Sequence, residues 1–254
     1  MSTRAAEDHR LLGKIKEIHI EKRTLYGSPR IHAELREQGE HCGRKRIARL
    51  MRENNIRAKH KRKFKATTDS RHHLPIAPNL LKQDFSADRP NQIWTADITY
   101  CWTQEGWIYL AVVLDVFSRK IVGWALDKRM TRQLVIHAFL MACWVRHPPK
   151  GLTHHSDRGS QYASFDFQKI LSLFGVKQSM SSSGNCFDNA VTETFFHSLK
   201  TELMFGRIFQ TRREAKSAIF EYIEIFYNRE RRHSTLGYCS PAAFEQYYYL
   251  QNVA

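Results

Sequence analysis

Cysteine is scarce and scattered, with five residues at positions 42, 101, 143, 186 and 239 and no CxxC pair. That pattern argues against a disulfide framework or a zinc ribbon and fits free thiols in a reducing compartment better. No apolar run approaches the roughly 20 residues needed to cross a bilayer. The first ten residues, MSTRAAEDHR, hold no apolar segment that would serve as a signal peptide. The expectation is a cytoplasmic protein with no membrane partner. Proline and glycine number only 7 and 12 in 254 residues, which excludes collagen-like and low-complexity chains. Acidic residues are the minority, 25 Asp and Glu against 40 Lys and Arg, for a net charge of +15.

What is present begins with that charge, because it is unevenly spread. Residues 1–65 hold 19 Lys and Arg against 8 Asp and Glu, and the remaining chain holds 21 against 17. A basic end of this kind suits nucleic acid, where neutralised phosphates release condensed counterions. A merely soluble basic protein is the plainer reading. Helical spacing supports the first. Leu11, Leu12, Ile15 and Ile18 mark one helix; Ser28 suits the N-cap of a second and Pro29 its first turn. After Gly39 and Gly43, RKRIARLMRENN makes a third helix. There Ile47, Leu50 and Met51 share one face, and Lys45, Arg49 and Arg52 the other. An apolar back with a basic front, after a short turn, fits a small all-α helix-turn-helix domain over 1–58 that lays this front on double-stranded DNA. Residues 59–90 read as a basic linker, with Lys61, Arg62 and Lys63 tracking phosphates or simply spacing two domains.

From residue 92 the texture changes. Strand-like runs over 93–102, 107–115 and 120–126 suggest an antiparallel meander. A helix over 131–146, a strand at 151–155, a helix over 164–174 and a strand at 176–180 follow. The loop SSSGN at 181–185, expected to be mobile, leads into a long helix for which Asp188 is a candidate cap. The expected α/β fold is a mixed five-stranded sheet flanked by helices, filling a core over 91–207, with a helical extension over 208–254. In that extension a helix over 212–229 turns Ala215, Ile219, Tyr222, Ile223 and Phe226 inward.

Three acids stand out against this frame. Asp97 interrupts the strand WTADITY, where a lone buried carboxylate is costly unless something pairs with it or binds it. Asp157, in HSDRGSQY, follows a strand end, and Glu193 lies on the helix of DNAVTETFFHSLKTEL on the side of His197 and Lys200. Singly each has an ordinary reading: a paired strand aspartate, a turn residue, a surface partner of Lys200. Asp115 and Asp127 are competing strand-end acids. Together, three carboxylates suit two hard divalent cations, the arrangement that activates the attacking oxygen and stabilises the leaving one in phosphodiester displacement. On a basic protein that chemistry points to cutting or joining DNA.

WTADITY, LAVVLDVFSRKIVGWAL, HSDRGSQY, SSSGNCFDNAVTETFFHSLKTE and YNRERRHSTLGYCSP together resemble the second-frame part of insertion-sequence-three family DDE transposases, relatives of retroviral integrases, over nearly the whole chain. Asp157 and Glu193 are separated by 35 residues, the interval of the family's D,D(35)E signature, and Lys200 stands seven positions after Glu193, where the family has its lysine. The resemblance implies an RNase H-like core, two Mg²⁺ or Mn²⁺ ions, cleavage at the 3′ ends of a mobile element and strand transfer. It implies that Asp97, Asp157 and Glu193 are the catalytic metal ligands, with Asp97 bridging, and that Lys200 contacts DNA near the element terminus. It also implies a partner: the upstream first-frame part, as a fusion or a separate chain, within a dimer or larger assembly on DNA. His9, His32, His41 and Cys42 do not make the zinc module of retroviral integrases, so no structural zinc is expected. His155 and His197 are either neighbours of the site or packed histidines. Tyr227, Arg231, Arg232 and His233 either touch DNA or pack on the core. The rival readings are a DNA-binding repressor with a vestigial core and a nuclease of RNA–DNA hybrids.

Overall fold

The structure, a computed structural model, describes residues 2–59, 74–182 and 186–252. Lys61, Arg62 and Lys63, and Ser183 to Asn185 of the expected loop, lie outside the described residues. The chain divides into two compact units, Met1–Lys63 and Phe64–Ala254.

The first unit is three helices: α1 (Thr3–Glu21), α2 (Ser28–Glu37) and α3 (Arg44–Glu53). Leu11, Ile15 and Ile18 of α1 close over Ile31 and Leu35 of α2 and Ile47, Leu50 and Met51 of α3, all fully or nearly fully buried. The spacing of these residues is the reason three short helices hold together, since each buries a single apolar stripe. Ser28 is not the cap. The N-cap is Gly27, whose carbonyl accepts from Arg30 and Ile31, and Ser28 is already helical with Pro29 behind it. A proline within the first turn removes one of the unsatisfied N–H groups that a serine cap would have served.

The second unit is built on a five-stranded sheet in the order β3-β2-β1-β4-β5. Strands β1 (Ile93–Thr103), β2 (Gly106–Asp115) and β3 (Ile121–Asp127) form the antiparallel meander. Helix α4 (Arg132–Arg146) carries the chain across to β4 (Thr153–Ser156), which pairs parallel with β1. Helix α5 (Phe165–Leu173) then returns it to β5 (Lys177–Met180), parallel to β4. On one face, Trp94, Ala96, Ala111 and Val113 pack with Phe139 of α4 and Phe167 of α5. Gly123 is required there: a Cβ would meet the Ala138 carbonyl at 2.2 Å, so α4 lies against β3 at a distance only glycine permits. On the other face, Cys101 and Ile108 meet Phe209 and Ala215.

A 3₁₀ turn (Cys186–Asn189) opens α6 (Ala190–Leu199), which continues as a π-turn over Lys200–Met204. Helix α7 (Arg212–Phe220) likewise runs on as a π-helical segment over Glu221–Glu230, and α8 (Pro241–Asn252) ends the described chain. Ala215, Ile219, Tyr222, Ile223 and Phe226 are all buried, as their spacing requires. Asp188 does not cap α6. It is buried, and its Oδ2 accepts from the Ser182 N–H at 2.6 Å and from Asn79 Nδ2 at 3.0 Å, tying together the two ends of the preceding loop.

Candidate active site

Strand register sets the first two acids side by side. In the parallel β1/β4 pair, Thr95 stands opposite His155 and Ala96 opposite Ser156. Asp97 and Asp157 are therefore the next residue on each chain, Asp97 in the middle of β1 and Asp157 just past the carboxyl end of β4, on neighbouring strands about 4.8 Å apart. Asp157 is held by its own turn: Oδ1 accepts from the Gly159 N–H at 2.9 Å, and a Cβ on Gly159 would crowd that oxygen at 3.0 Å. The Asp97 Oδ1 accepts from the Ile98 N–H at 2.7 Å.

The third acid arrives on α6, and a polar stitch fixes where. Thr192 Oγ1 donates to Thr95 Oγ1 at 2.8 Å, both residues being fully buried, and Asn189 Nδ2 reaches the Ala96 carbonyl at 3.5 Å. Thr95 and Asp97 share a face of β1 because strand side chains alternate. Glu193, next to Thr192, thus sits over the same end of the strand, with its own side chain exposed.

The electrostatics report the meeting. Burial, then the neighbouring Asp157, then more weakly Glu193, hold the Asp97 carboxyl well above the usual carboxylate range, against the Ile98 hydrogen bond and Lys200. Burial raises the Glu193 carboxyl, and burial followed by Asp97 and Asp157 raises the Tyr162 hydroxyl. That buried hydroxyl has no hydrogen-bond partner among the described residues. Concentrated negative charge from oxygen ligands alone suits a hard divalent cation. As the side chains lie, no three His, Cys, Asp or Glu among the described residues stand close enough to cage an ion. Asp97 and Asp157 form the neighbouring pair, and Glu193 is exposed on α6.

The other expected residues divide. Lys200 lies above Tyr100, its ammonium 5.0 Å from the ring centre. Lys45 and Arg52 are exposed on α3, but Arg49 is engaged by Asp8 at 2.7 Å and Glu53 at 2.9 Å. A shallow hollow of about 480 Å³ is lined by Arg4, Lys45, Arg46 and Arg49. Arg4 and Arg46 escaped the sequence reading because the hollow forms only where α1 meets α3. Arg231 is not a surface contact. It is 4% exposed, bidentate on Glu202 at 2.7 and 2.8 Å, and bonded to Ser198 Oγ at 3.0 Å. Arg232 is half-buried and donates to the Tyr238 carbonyl at 2.9 Å. His155 is packed, with Nδ1 2.8 Å from Ser179 Oγ, whereas His197 is exposed. Of the competing acids, Asp115 is sealed beside Arg146, and Asp127 accepts from the Arg129 N–H at a strand end.

Residues 87–186 and 193–248 match family models described as integrase core domains, and residues 6–64 match one described as an HTH-like domain. Sheet, acids and appended helices define an enzyme of the integrase-core, polynucleotidyl-transferase class. An insertion element IS600 uncharacterized 31 kDa protein of Shigella sonnei is 52% identical over 98% of this chain and 91% of its own length. The transposase InsF for insertion sequence IS3A of Escherichia coli (strain K12) is 48% identical over 87% of this chain and 76% of its own. The chain belongs to the insertion-sequence-three (IS3) family of transposases. A likeness of fold extends to a chain of the simian T-cell lymphotropic virus intasome in complex with PP2A regulatory subunit B56 gamma. There the TM-score is 0.53 and the identity 17%, over 91% of this chain and 74% of that one.

Proposed function

We propose that this DDE-type transposase cuts double-stranded DNA at the ends of a mobile element and joins the freed ends to a target, with Asp97, Asp157 and Glu193 as its metal ligands. The observation that carries the reading is the register match that makes Asp97 and Asp157 neighbours, with Glu193 delivered by the Thr192–Thr95 stitch. Bound by these three side chains, two Mg²⁺ or Mn²⁺ ions supply activation of the attacking oxygen and charge neutralisation at the leaving oxygen. The protein's own share is placement. Asp97, on the central strand, would be the shared ligand; Gly159 aims Asp157; α6 carries Glu193, and Lys200, seven residues on, would meet the phosphates of the strand being cut. Lys45 and Arg52, exposed on α3, and Lys61, Arg62 and Lys63 hold duplex backbone, and Arg232 stands by as a weaker contact. Two ends must be held at once, so the working form is a dimer or larger assembly, joined by the first-frame portion and acting on bacterial DNA in the cytoplasm.

The test is incubation with labelled element-end DNA and Mg²⁺, with and without the first-frame partner, comparing the wild type with Asp157→Asn. Loss of a neighbour to a ligand already costs roughly 10–100-fold, so loss of a ligand itself is expected to lower cleavage more than about a hundredfold, with DNA affinity nearly unchanged. Undiminished nicking by the variant refutes the assignment.

A further inference from the structure

Strands β1 and β2 end, away from the acids, in an aromatic strip that the cutting chemistry leaves unused. Trp102 and Trp107 face each other across the hairpin as register partners, ring centres 4.8 Å apart and planes at 73°. Tyr100 stands diagonally, 5.1 Å from Trp107 and edge-on at 88°. These indoles are large apolar side chains, yet Trp102 is 49% and Trp107 44% exposed, and nothing described covers them. Cations bracket the strip. The Lys200 ammonium lies over Tyr100, and Arg212 sits at the far end with its Nε donating to the Trp107 carbonyl at 3.1 Å. At the rise of an extended strand, Tyr100 is about 10 Å and Trp102 about 17 Å along β1 from Asp97, on the opposite face of the strand but beyond the stretch that β4 covers, Ile93 to Ala96.

Half-exposed rings in a row, flanked by positive charge, are what a single-stranded nucleic acid needs: faces for its bases and cations for its phosphates. We propose that the Tyr100–Trp107–Trp102 strip, with Lys200 and Arg212 at its ends, binds unpaired nucleobases of a DNA strand end opened beside the carboxylates. The identity of that strand rests on the reading of the carboxylates as a DNA-cutting centre; the affinity for unpaired bases does not. Stacking tolerates any base, so the strip supplies no sequence readout, and each stacked base is worth roughly five- to a hundredfold in affinity. A strand end captured there, around the edge of β1 from Asp97, is kept from re-annealing.

The experiment measures equilibrium binding of the full chain, in chelator and without metal, to a blunt duplex and to the same duplex with a short unpaired end. The wild type is expected to prefer the unpaired end by about tenfold. Trp102→Ala with Trp107→Ala should erase that preference and leave blunt-end affinity within about twofold, while Trp107→Phe, which keeps a ring, retains most of it. Equal wild-type affinity for the two DNAs overturns the proposal, as does an unchanged preference in the double variant. A lowered thermal midpoint with the preference intact assigns the pair to hairpin stability alone. Altered self-association with the preference intact assigns it to a second copy of the chain. Either result also overturns the proposal. Because no metal is present, a failure of the cutting assignment in Asp157→Asn leaves this readout untouched.

Discussion

Asp97 and His154 lie on adjacent strands of one sheet and show opposite ways of managing a buried polar group. Asp97 is buried and meets like charge, and both keep its carboxyl reluctant to ionise. His154 meets only rings: Phe139, Tyr162 and Phe167 surround it, and neither ring nitrogen has a partner among the described residues. Burial first, then the neighbouring His155, holds His154 down to about 3. The folded protein therefore keeps it neutral while the unfolded chain takes up a proton below about pH 6.5, so stability falls as pH drops from there toward 3. His154→Phe should remove this part of the acid loss, shrinking the drop in unfolding free energy between pH 7 and pH 5 by about 2 kcal/mol, read by urea titration at both values. An acid slope identical to the wild type's would show that His154 takes up its proton while folded. Sequence alone singled out Asp97, because an acid inside a strand is conspicuous. It passed over His154, because a histidine announces its burial only once its neighbours are known.

Among the elements, α6 carries Glu193, and its far end is clamped by the C-terminal segment. Arg231 lies between Glu202 and Ser198, with Tyr222 donating to the same carboxylate at 2.7 Å and the Tyr227 ring 5.6 Å away. Burial opposes the Arg231 charge, but the hydrogen bonds and charge of Glu202 prevail and keep it protonated. Arg231→Met would strand a buried carboxylate and should cost about 3–5 kcal/mol, whereas Arg231→Met combined with Glu202→Met should recover most of it. Chemical unfolding of the three proteins decides, and equal stability of the single variant and the wild type would contradict the clamp. The meander, both crossover helices and the inward face of α7 were legible because periods of two and of 3.6 residues are local properties. Asp188 was misread, and Arg231 left open, for one reason. Each was read from its chain neighbours, while its partners, Asn79 for Asp188 and Glu202 for Arg231, are distant in sequence.

Across the whole molecule, charge follows function. The first unit carries most of the cationic excess. Duplex affinity should accordingly fall steeply with salt. Removing the exposed Lys45 and Arg52 together, as Lys45→Ala and Arg52→Ala, should flatten the slope of log affinity against log salt by about 1.8, since each phosphate contact contributes about 0.9. Titration of labelled duplex at several salt concentrations measures it, and an unchanged slope would show that α3 faces something other than phosphate. Fold class and family were readable before any coordinates, because strand alternation, helix spacing and the order of five motifs survive in one dimension. The pairing of Asp97 with Asp157 and the place of α6 over β1 were not, since the β1/β4 register and the Thr192–Thr95 contact bridge residues far apart in the chain.

The convergence of Asp97, Asp157 and Glu193 on metal is tested most directly by counting Mn²⁺ bound to the DNA-loaded protein by electron paramagnetic resonance. Wild type is compared with Asp97→Asn, Asp157→Asn and Glu193→Gln. The account predicts that each single replacement lowers occupancy, most of all at the shared Asp97. Equal manganese binding by all four proteins would contradict it.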